Sequence, residues 1–500
     1  MMTDSNDAAC FLDDALAILG PRGLIRDRDL IEPWLTDWRG RYTGRALAMA
    51  APANTAELAA LIKLCAQYLV AIVPQGGNSG MVGGATPTPV GDELLLSLRR
   101  LDRITRFDVA ARQITCGAGV VLQTLHEAVA KADLRFPLTL GGKGSATVGG
   151  LISTNAGGTQ VLRHGTMRAL VLGVEAVLAD GSIYSALMPL KKDNRGFDLK
   201  QLLIGSEGTL GIITAATLRL MPAIADRAVM WAGVPSLQTA RALLLHAEAA
   251  LGDALEGFEV VPRSGLEAVL ALLPDARSPL ADSHEWHALI EVVADRTGVN
   301  SLPERVEAML ADAFAAGLVT DATIAANETQ AEAFWLLRDS VAPAERAQGP
   351  AMQHDISVPV ERMADFVDMA VPEIETRWPG TRATAFGHLG DGNVHFHVIA
   401  PPGVDRAAWE ATDGAAISRE VYDLVVAWHG SISAEHGIGQ AKRDELVRLG
   451  DPVALDMMRR VKAALDPLGL LNPEKLILAT DGTGADKRIC NALAPGPANA

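Results

Sequence analysis

Two glycine-rich segments, 74-PQGGNSGMVGG-84 and 137-PLTLGGKGSATVGGLISTNAGG-158, constrain this chain more than any other feature. Each follows a run with strand character, the first directly after 71-AIVP-74. Stripped of side chains, such loops let backbone N–H groups close around an anion, and consecutive amides in a tight turn form a concave nest. A diphosphate is the natural guest of two such loops together, whereas either alone reads equally well as a turn. No G-x-G-x-x-G opens a helix, and Lys143 is followed by Gly144 rather than Ser or Thr, so neither a dinucleotide fingerprint nor a P-loop is written here. NAD and nucleoside triphosphates are thereby disfavoured.

The loops sit in an alternation of helix and strand patterns. Residues 54-NTAELAALIKLCAQYLV-70 carry helical periodicity behind an Asn54/Thr55 start, and 94-LLLSL-98, 170-LVLGVEAVLAD-180 and 210-LGIITAATLRL-220 are short apolar runs between turns. Beyond Pro222, strand-like 288-ALIEVV-293 and amphipathic 303-PERVEAMLADAFAAG-317 predict a second α+β region. The stretches 441-AKRDELVRLG-450 and 453-VALDMMRRVKAALDP-467 predict helices stopped by Pro467 and Gly469. Five hundred residues need more than one core, and 49% hydrophobic content fills them. A formal charge of -16 argues against a nucleic-acid partner. The cysteines at 10, 65, 116 and 490 lack motif spacing, which predicts no disulfide framework or thiolate metal motif and suits a reducing cytosol. Neither a signal peptide nor an uninterrupted apolar span is legible, so a cytoplasmic location without a transmembrane segment is expected.

A second feature is chemical. The segment 387-GHLGDGNVHFH-397 holds three histidines, and 434-AEHG-437 offers a glutamate beside a fourth. Period-2 alternation in 394-VHFHVI-399 sets Val394, Phe396 and Val398 against His395, His397 and Ile399. The Gly390-Asp391-Gly392-Asn393 turn folds the strand back so that His388 and His395 can meet across a hairpin, with Glu435 as the nearest sensible third metal ligand. Asp391 itself reads as a turn-former. On these residues alone a hydrolytic metal site and a redox one stay open.

The order of P-Q-G-G-N-S-G, then P-L-T-L-G-G-K-G-S-A-T-V-G-G-L-I-S-T-N-A-G-G, then 193-DNRGFDLKQLLIGSEGTLGIIT-214 resembles the flavin domain of the vanillyl-alcohol-oxidase/p-cresol-methylhydroxylase superfamily, over nearly the whole chain from Asp37 to Lys475. The resemblance implies an α+β fold: an N-terminal helical segment (1–36), a two-subdomain FAD-binding domain of the p-cresol-methylhydroxylase type (37–222), an α+β substrate-binding cap with a metal site (223–440), C-terminal helices packing back on the FAD domain (441–480) and a disordered tail (481–500). It implies FAD held by Gln75, Gly76, Gly77, Asn78, Ser79 and Gly80 at the diphosphate. Pro137, Gly141, Ser145, Thr147, Gly150, Ser153 and Asn155 would run along the cofactor, with Glu207, Gly211, Ile212 and Asn472 completing the site. The first loop has no histidine between Pro74 and Pro87, so FAD is expected to be non-covalent.

G-H-L-G-D-G-N-V-H and S-A-E-H-G-I-G are similar to the metal-dependent D-2-hydroxy acid dehydrogenases of that superfamily, the branch with D-2-hydroxyglutarate and D-lactate dehydrogenases. The carry-over makes His388, His395 and Glu435 ligands of zinc or another divalent metal, His436 the general base and Arg338 the binder of the substrate carboxylate. The alcohol would be oxidised to the 2-oxo acid with hydride passing to the flavin N5. Three positions depart from the D-2-hydroxyglutarate pattern: Ala342 replaces a hydroxyl residue, Gln353 a lysine and His397 an asparagine. Losing the lysine weakens the case for a dicarboxylic substrate, so D-lactate or D-malate competes with D-2-hydroxyglutarate, unless Arg163, Lys192 or Arg346 supplies a replacement charge. His397 and Gln353 would still line the substrate, and His397 could instead orient a ligand. The resemblance also implies a homodimer and an external acceptor: an electron-transfer flavoprotein, a quinone or a cytochrome. The competing readings are a metallohydrolase built on the His/His/Glu site and a non-catalytic FAD subunit of a glycolate-oxidase-like complex.

Overall fold

The computed structural model describes residues 5–295 and 301–478. The expected tail at 481–500 and Cys490 lie outside the described residues.

The helix Thr55–Tyr68 starts where the side chain of Asn54 accepts the Glu57 N–H, and it buries Leu58, Leu61, Ile62 and Cys65. It covers a four-stranded sheet in which Ile72–Gln75 and Met49–Ala50 flank Leu94–Ser97 in parallel, while Leu24–Ile25 pairs antiparallel at the edge. The first glycine loop leaves the end of Ile72–Gln75. A second, antiparallel sheet of five strands is centred on Ile212–Arg219, flanked by Gln113–Gly117 and Val171–Val177. The second glycine loop runs into the short helix Val148–Ser153, whose Val148, Leu151 and Ile152 are buried against this subdomain. The buried cores of these two subdomains therefore hold the two loops.

The chain then enters a seven-stranded antiparallel sheet ordered Asp321–Ile324, Asp226–Val234, Trp286–Ala294, Leu255–Pro262, Arg382–His388, Asn393–Ile399, Ala351–Ser357. Helices pack on both faces. One face meets Leu237–Leu251, Leu302–Ala315, Met363–Arg377 and Ala415–Ala427; the other meets Arg263–Leu272, Glu328–Asp339 and Val341–Gln348. Because successive strand residues alternate between faces, Val394, Phe396 and Val398 fill the first core and leave the odd-numbered positions to the second face.

The last segment packs back on the glycine-loop half. Leu471 bridges Ile72, Asn472 donates to the carbonyls of Gly84 (3.0 Å) and Glu207 (2.7 Å), and buried Lys462 donates to the Thr209 carbonyl at 2.7 Å. A further seam joins Glu256 of the large sheet to Arg135 and Arg163 of the glycine-loop half. No helix among the described residues is long and apolar enough to cross a membrane.

Candidate active site

Between the halves lies a cleft of about 760 Å³, lined by both glycine loops and by Glu435 and His436. From the first loop Gln75, Gly76, Gly77, Asn78, Ser79 and Gly80 reach it; from the second, Gly141, Ser145, Gly150 and Ser153; Glu207 joins them. The loops press on each other so closely that a Cβ on Gly77 would lie 1.8 Å from the Ser145 carbonyl oxygen, and one on Gly76 2.2 Å from Thr147 Oγ1. Backbone alone fits there, which suits a diphosphate cradle, and the size of the cleft suits a large cofactor.

Several cofactor candidates lie off this wall. Pro137, Thr147, Asn155, Gly211, Ile212 and Asn472 do not line the cleft. Ile212 is core, Asn155 uses its side-chain oxygen to accept the Arg168 N–H, and Asn472 is a buried strut. Glu207 has a structural task as well: its carboxylate accepts the N–H groups of Ile438 and Gly439, both at 2.7 Å. It thus ties the Glu435–His436 segment to the cleft.

The sheet register brings the metal-type ligands together. His388 pairs with Asn393 and His395 with Phe386, so the two imidazoles meet diagonally on the second face, with ring centroids 5.5 Å apart. Glu435 arrives from the segment after the last sheet-covering helix, and ligand atoms of His388, His395 and Glu435 all lie within 4.8 Å of one another. Two nitrogens and one oxygen in that span match a divalent cation with open coordination positions. Desolvation pushes the Glu435 carboxyl up to about 7 despite the nearby His388, as expected of a carboxylate sited to meet a cation.

Acidic residues stand behind the imidazoles. Glu259, paired in register with His388, lies 3.5 Å from its Nδ1, and Asp355, in register with His395, lies 4.0 Å from that ring. Carboxylates behind ligand histidines fix the ring and raise its basicity. Asp355 does more, since one oxygen accepts the N–H groups of Glu435 and His436 at 2.9 Å each and the other accepts from Asn393 at 3.0 Å. Desolvation would raise its carboxyl, but His436, Lys442 and His395 hold it well below the usual range. Asp391 caps its own turn by accepting the Asn393 N–H at 3.0 Å.

The remaining candidates surround this cluster. His436 lines the cleft with Nδ1 3.5 Å from Asp355, and burial pushes its imidazole down to about 4. Arg338, on the helix Glu328–Asp339, gives Nε and Nη2 to Glu259 at 2.8 Å and has Nη2 3.4 Å from His395. Its Nη1 retains only a 3.6 Å pairing with Asp339. His397 is buried in a hydrogen bond with Glu345. Gln353, its partner across the sheet, keeps a buried Nε2 without a hydrogen bond. Of the three proposed replacement cations, Arg163 is committed to Glu256 (2.9 Å) and Asp295 (3.5 Å), and Lys192 is exposed in the 186–199 loop. Arg346 lines the cleft.

Glu259, Asp355 and Glu345 escape sequence reading. Their one signal is a charge inside an otherwise apolar run, as in 255-LEGFEVVP-262, and the partner that gives the charge meaning is far away in sequence.

A glycine-loop cleft beside a His/His/Glu cluster, between two joined α+β halves, is the arrangement expected from the resemblance to flavin-dependent oxidoreductases. Comparison agrees: residues 46–186 match the FAD binding domain family and residues 224–476 the FAD linked oxidases, C-terminal domain. The chain is 35% identical to the mitochondrial D-2-hydroxyglutarate dehydrogenase of Arabidopsis thaliana over 95% of its own length and 82% of the relative's. It is 34% identical to D-2-hydroxyglutarate dehydrogenase of Xanthomonas citri over 90% and 93%. The solved structure of p-cresol methylhydroxylase superposes with a TM-score of 0.73 at 14% identity, covering 95% of this chain and 98% of that one. The chain belongs to the FAD-linked oxidase family, in the D-2-hydroxy acid dehydrogenase branch of the vanillyl-alcohol-oxidase/p-cresol-methylhydroxylase superfamily.

Proposed function

We propose that the protein oxidises a D-2-hydroxy acid to the 2-oxo acid, with a divalent metal, zinc by preference, held by His388, His395 and Glu435, and with His436 as general base. One spatial observation carries this reading: three metal-type ligands lie within 4.8 Å of one another, and Glu435 and His436 share the cleft wall with both glycine loops. Bound FAD supplies a two-electron acceptor, and the metal supplies Lewis-acid polarisation of an alcohol oxygen. The chain's own groups do the rest. Desolvation keeps the His436 imidazole neutral, and a proton on Nδ1 facing Asp355 leaves the Nε2 lone pair for the substrate hydroxyl proton. Glu259 aims Arg338 beside His395, where its Nη1 is available to the substrate carboxylate. A metallohydrolase would leave the glycine-lined part of the cleft without a task.

The names of the relatives support a D-2-hydroxy acid as substrate. An external acceptor is part of the proposal, as is a reducing cytosol, in keeping with free Cys10, Cys65 and Cys116. The test is a panel of D- and L-lactate, malate, 2-hydroxyglutarate and mandelate with a redox dye, before and after chelation. Turnover confined to D-enantiomers, lost on chelation and restored by zinc, is the expected result. A colourless protein, or turnover indifferent to chelator, would overturn the reading.

A further inference from the structure

The segment 431–439, which carries Glu435 and His436, is clamped from both halves of the molecule. On the side of the large sheet, Ser357 and Ser431 exchange backbone hydrogen bonds at 3.0 and 2.8 Å, and one Asp355 oxygen takes the N–H groups of Glu435 and His436. On the side of the glycine loops, the two Glu207 oxygens take the N–H groups of Ile438 and Gly439, one each, at 2.7 Å. Gly437 stands between the clamps at φ +79°, and a Cβ there would lie 2.9 Å from Glu207 Oε1. Ser433 Oγ closes the turn by donating to the Gly437 carbonyl at 2.6 Å. Just beyond, the N–H groups of Gln440 and Ala441 both reach the Val82 carbonyl, at 3.1 and 3.2 Å.

Glu207 is rooted in the opposite wall. Its backbone lies at φ +51°, a left-handed conformation that a residue with a Cβ keeps only where its surroundings impose it. Those surroundings are the cleft itself. The Glu207 N–H donates to the Ser153 carbonyl at 2.8 Å, and its carbonyl accepts Asn472 Nδ2 at 2.7 Å. The next residue, Gly208, packs so closely on Pro74 that a Cβ would lie 2.6 Å from that ring. Pro74 and Ser153 belong to the two glycine loops and line the cleft. A buried carboxylate fixed to both loops therefore ends on the backbone that bears His436. Hydrogen bonds to an ionised acceptor are the strong ones, so this is a firm hold. A general base works only within hydrogen-bond reach of the proton it removes. Asp355 ties the segment to the metal cluster, and Glu207 ties it to the cleft. With the first clamp alone, the segment would be free to turn about it.

Resting on the proposed function, we infer that Glu207 is a positioning residue for the reaction: its carboxylate sets His436, and with it Glu435, against the cleft and does not act as a cofactor ligand. The resemblance in sequence places this glutamate at the cofactor. In the fold both of its oxygens go instead to main-chain N–H groups 231 and 232 residues further along the chain.

The test compares Glu207→Gln, Glu207→Ala and the milder Ser433→Ala with the parent holoenzyme, using whichever D-2-hydroxy acid the parent oxidises fastest. Glu207→Ala removes both acceptors, and kcat should fall roughly a hundredfold, the scale of moving a reacting group by about 1 Å. Glu207→Gln keeps one acceptor oxygen and should lose roughly tenfold, a partial rescue that a contact with the cofactor would not give. KM should stay within about twofold in both, because the substrate contacts are untouched. Flavin affinity, read by titration of the apoprotein with FAD, should be unchanged. Ser433→Ala should lower kcat about threefold, and its effect should be non-additive with that of Glu207→Gln, since both act on one turn. Hydrogen exchange in the peptide 432–441 of the holoenzyme should quicken in both Glu207 variants, a readout independent of turnover. A loss of FAD affinity that accounts for the lost turnover would overturn the inference, as would an unchanged kcat or unchanged exchange. Should the Glu207 variants not fold, Ser433→Ala decides alone, and a parental kcat in it overturns the inference. A parent that oxidises no D-2-hydroxy acid overturns the proposed function instead, while the exchange measurement still decides whether Glu207 holds the segment.

Discussion

The two walls of the cleft are built by opposite means. On the glycine-loop side the fold contributes backbone, and its specificity lies in the absence of atoms: Gly76 and Gly77 press on Thr147 and Ser145 with no space for a methyl group. On the sheet side the fold contributes side chains, each held by another side chain behind it. Glu259 backs His388, Asp355 backs His436, and Glu345 backs His397. A backbone site tolerates little variation but needs few partners. A side-chain site needs a second layer of charge, and every charge buried in that layer must itself be paired.

The largest break of this comparison is His388→Ala, expected to lower turnover roughly a thousandfold, the scale of losing a metal-assisted step, while flavin stays bound. Metal analysis beside the flavin absorbance spectrum checks it, and loss of both cofactors together would show that the walls are not independent. Next comes the seam between the halves. Glu256→Ala leaves Arg135 and Arg163 facing each other and should cost about 3 kcal/mol in denaturant unfolding. The same seam predicts a pH dependence. Burial would raise the Glu256 carboxyl, but His164, Arg135 and Arg163 hold it far below its ordinary value, so the unfolded chain takes up the proton first. Its stabilisation is full above about pH 4.5 and is lost as pH falls below that, a slope that Glu256→Ala should flatten.

Gly77→Ala is the mirror image of the histidine variant. With main chain 1.8 Å from the new methyl group, flavin content should fall while metal content holds, at a stability cost of about 2 kcal/mol. Smallest is Glu259→Gln, expected to weaken metal affinity roughly tenfold by loosening His388 and Arg338, as read by competition with a chelator. Unchanged affinity would reduce Glu259 to a packing element.

Much of the frame was legible beforehand. The helix Thr55–Tyr68, the strand Trp286–Ala294 and the 388–395 hairpin follow from caps, periodicity and a Gly-Asp-Gly turn, all signals contained in a dozen residues. The second layer was not. Asp355 in 351-AMQHDIS-357 and Glu259 in an apolar strand read as isolated charges, because their partners come from a strand, a helix or a loop far along the chain. Arg163 and Arg346 look alike as sequence, yet one is locked in the seam by Glu256 and the other faces the cleft.

By itself the sequence determined where backbone could approach an anion and where two imidazoles could meet over a turn, since both depend on covalent geometry within one short segment. Only the tertiary structure decided which acids steady the histidine pair and which arginines are locked in the seam or face the cleft. Coulombic pairing acts through space, and the register of seven strands, rather than distance along the chain, brings those charges within reach.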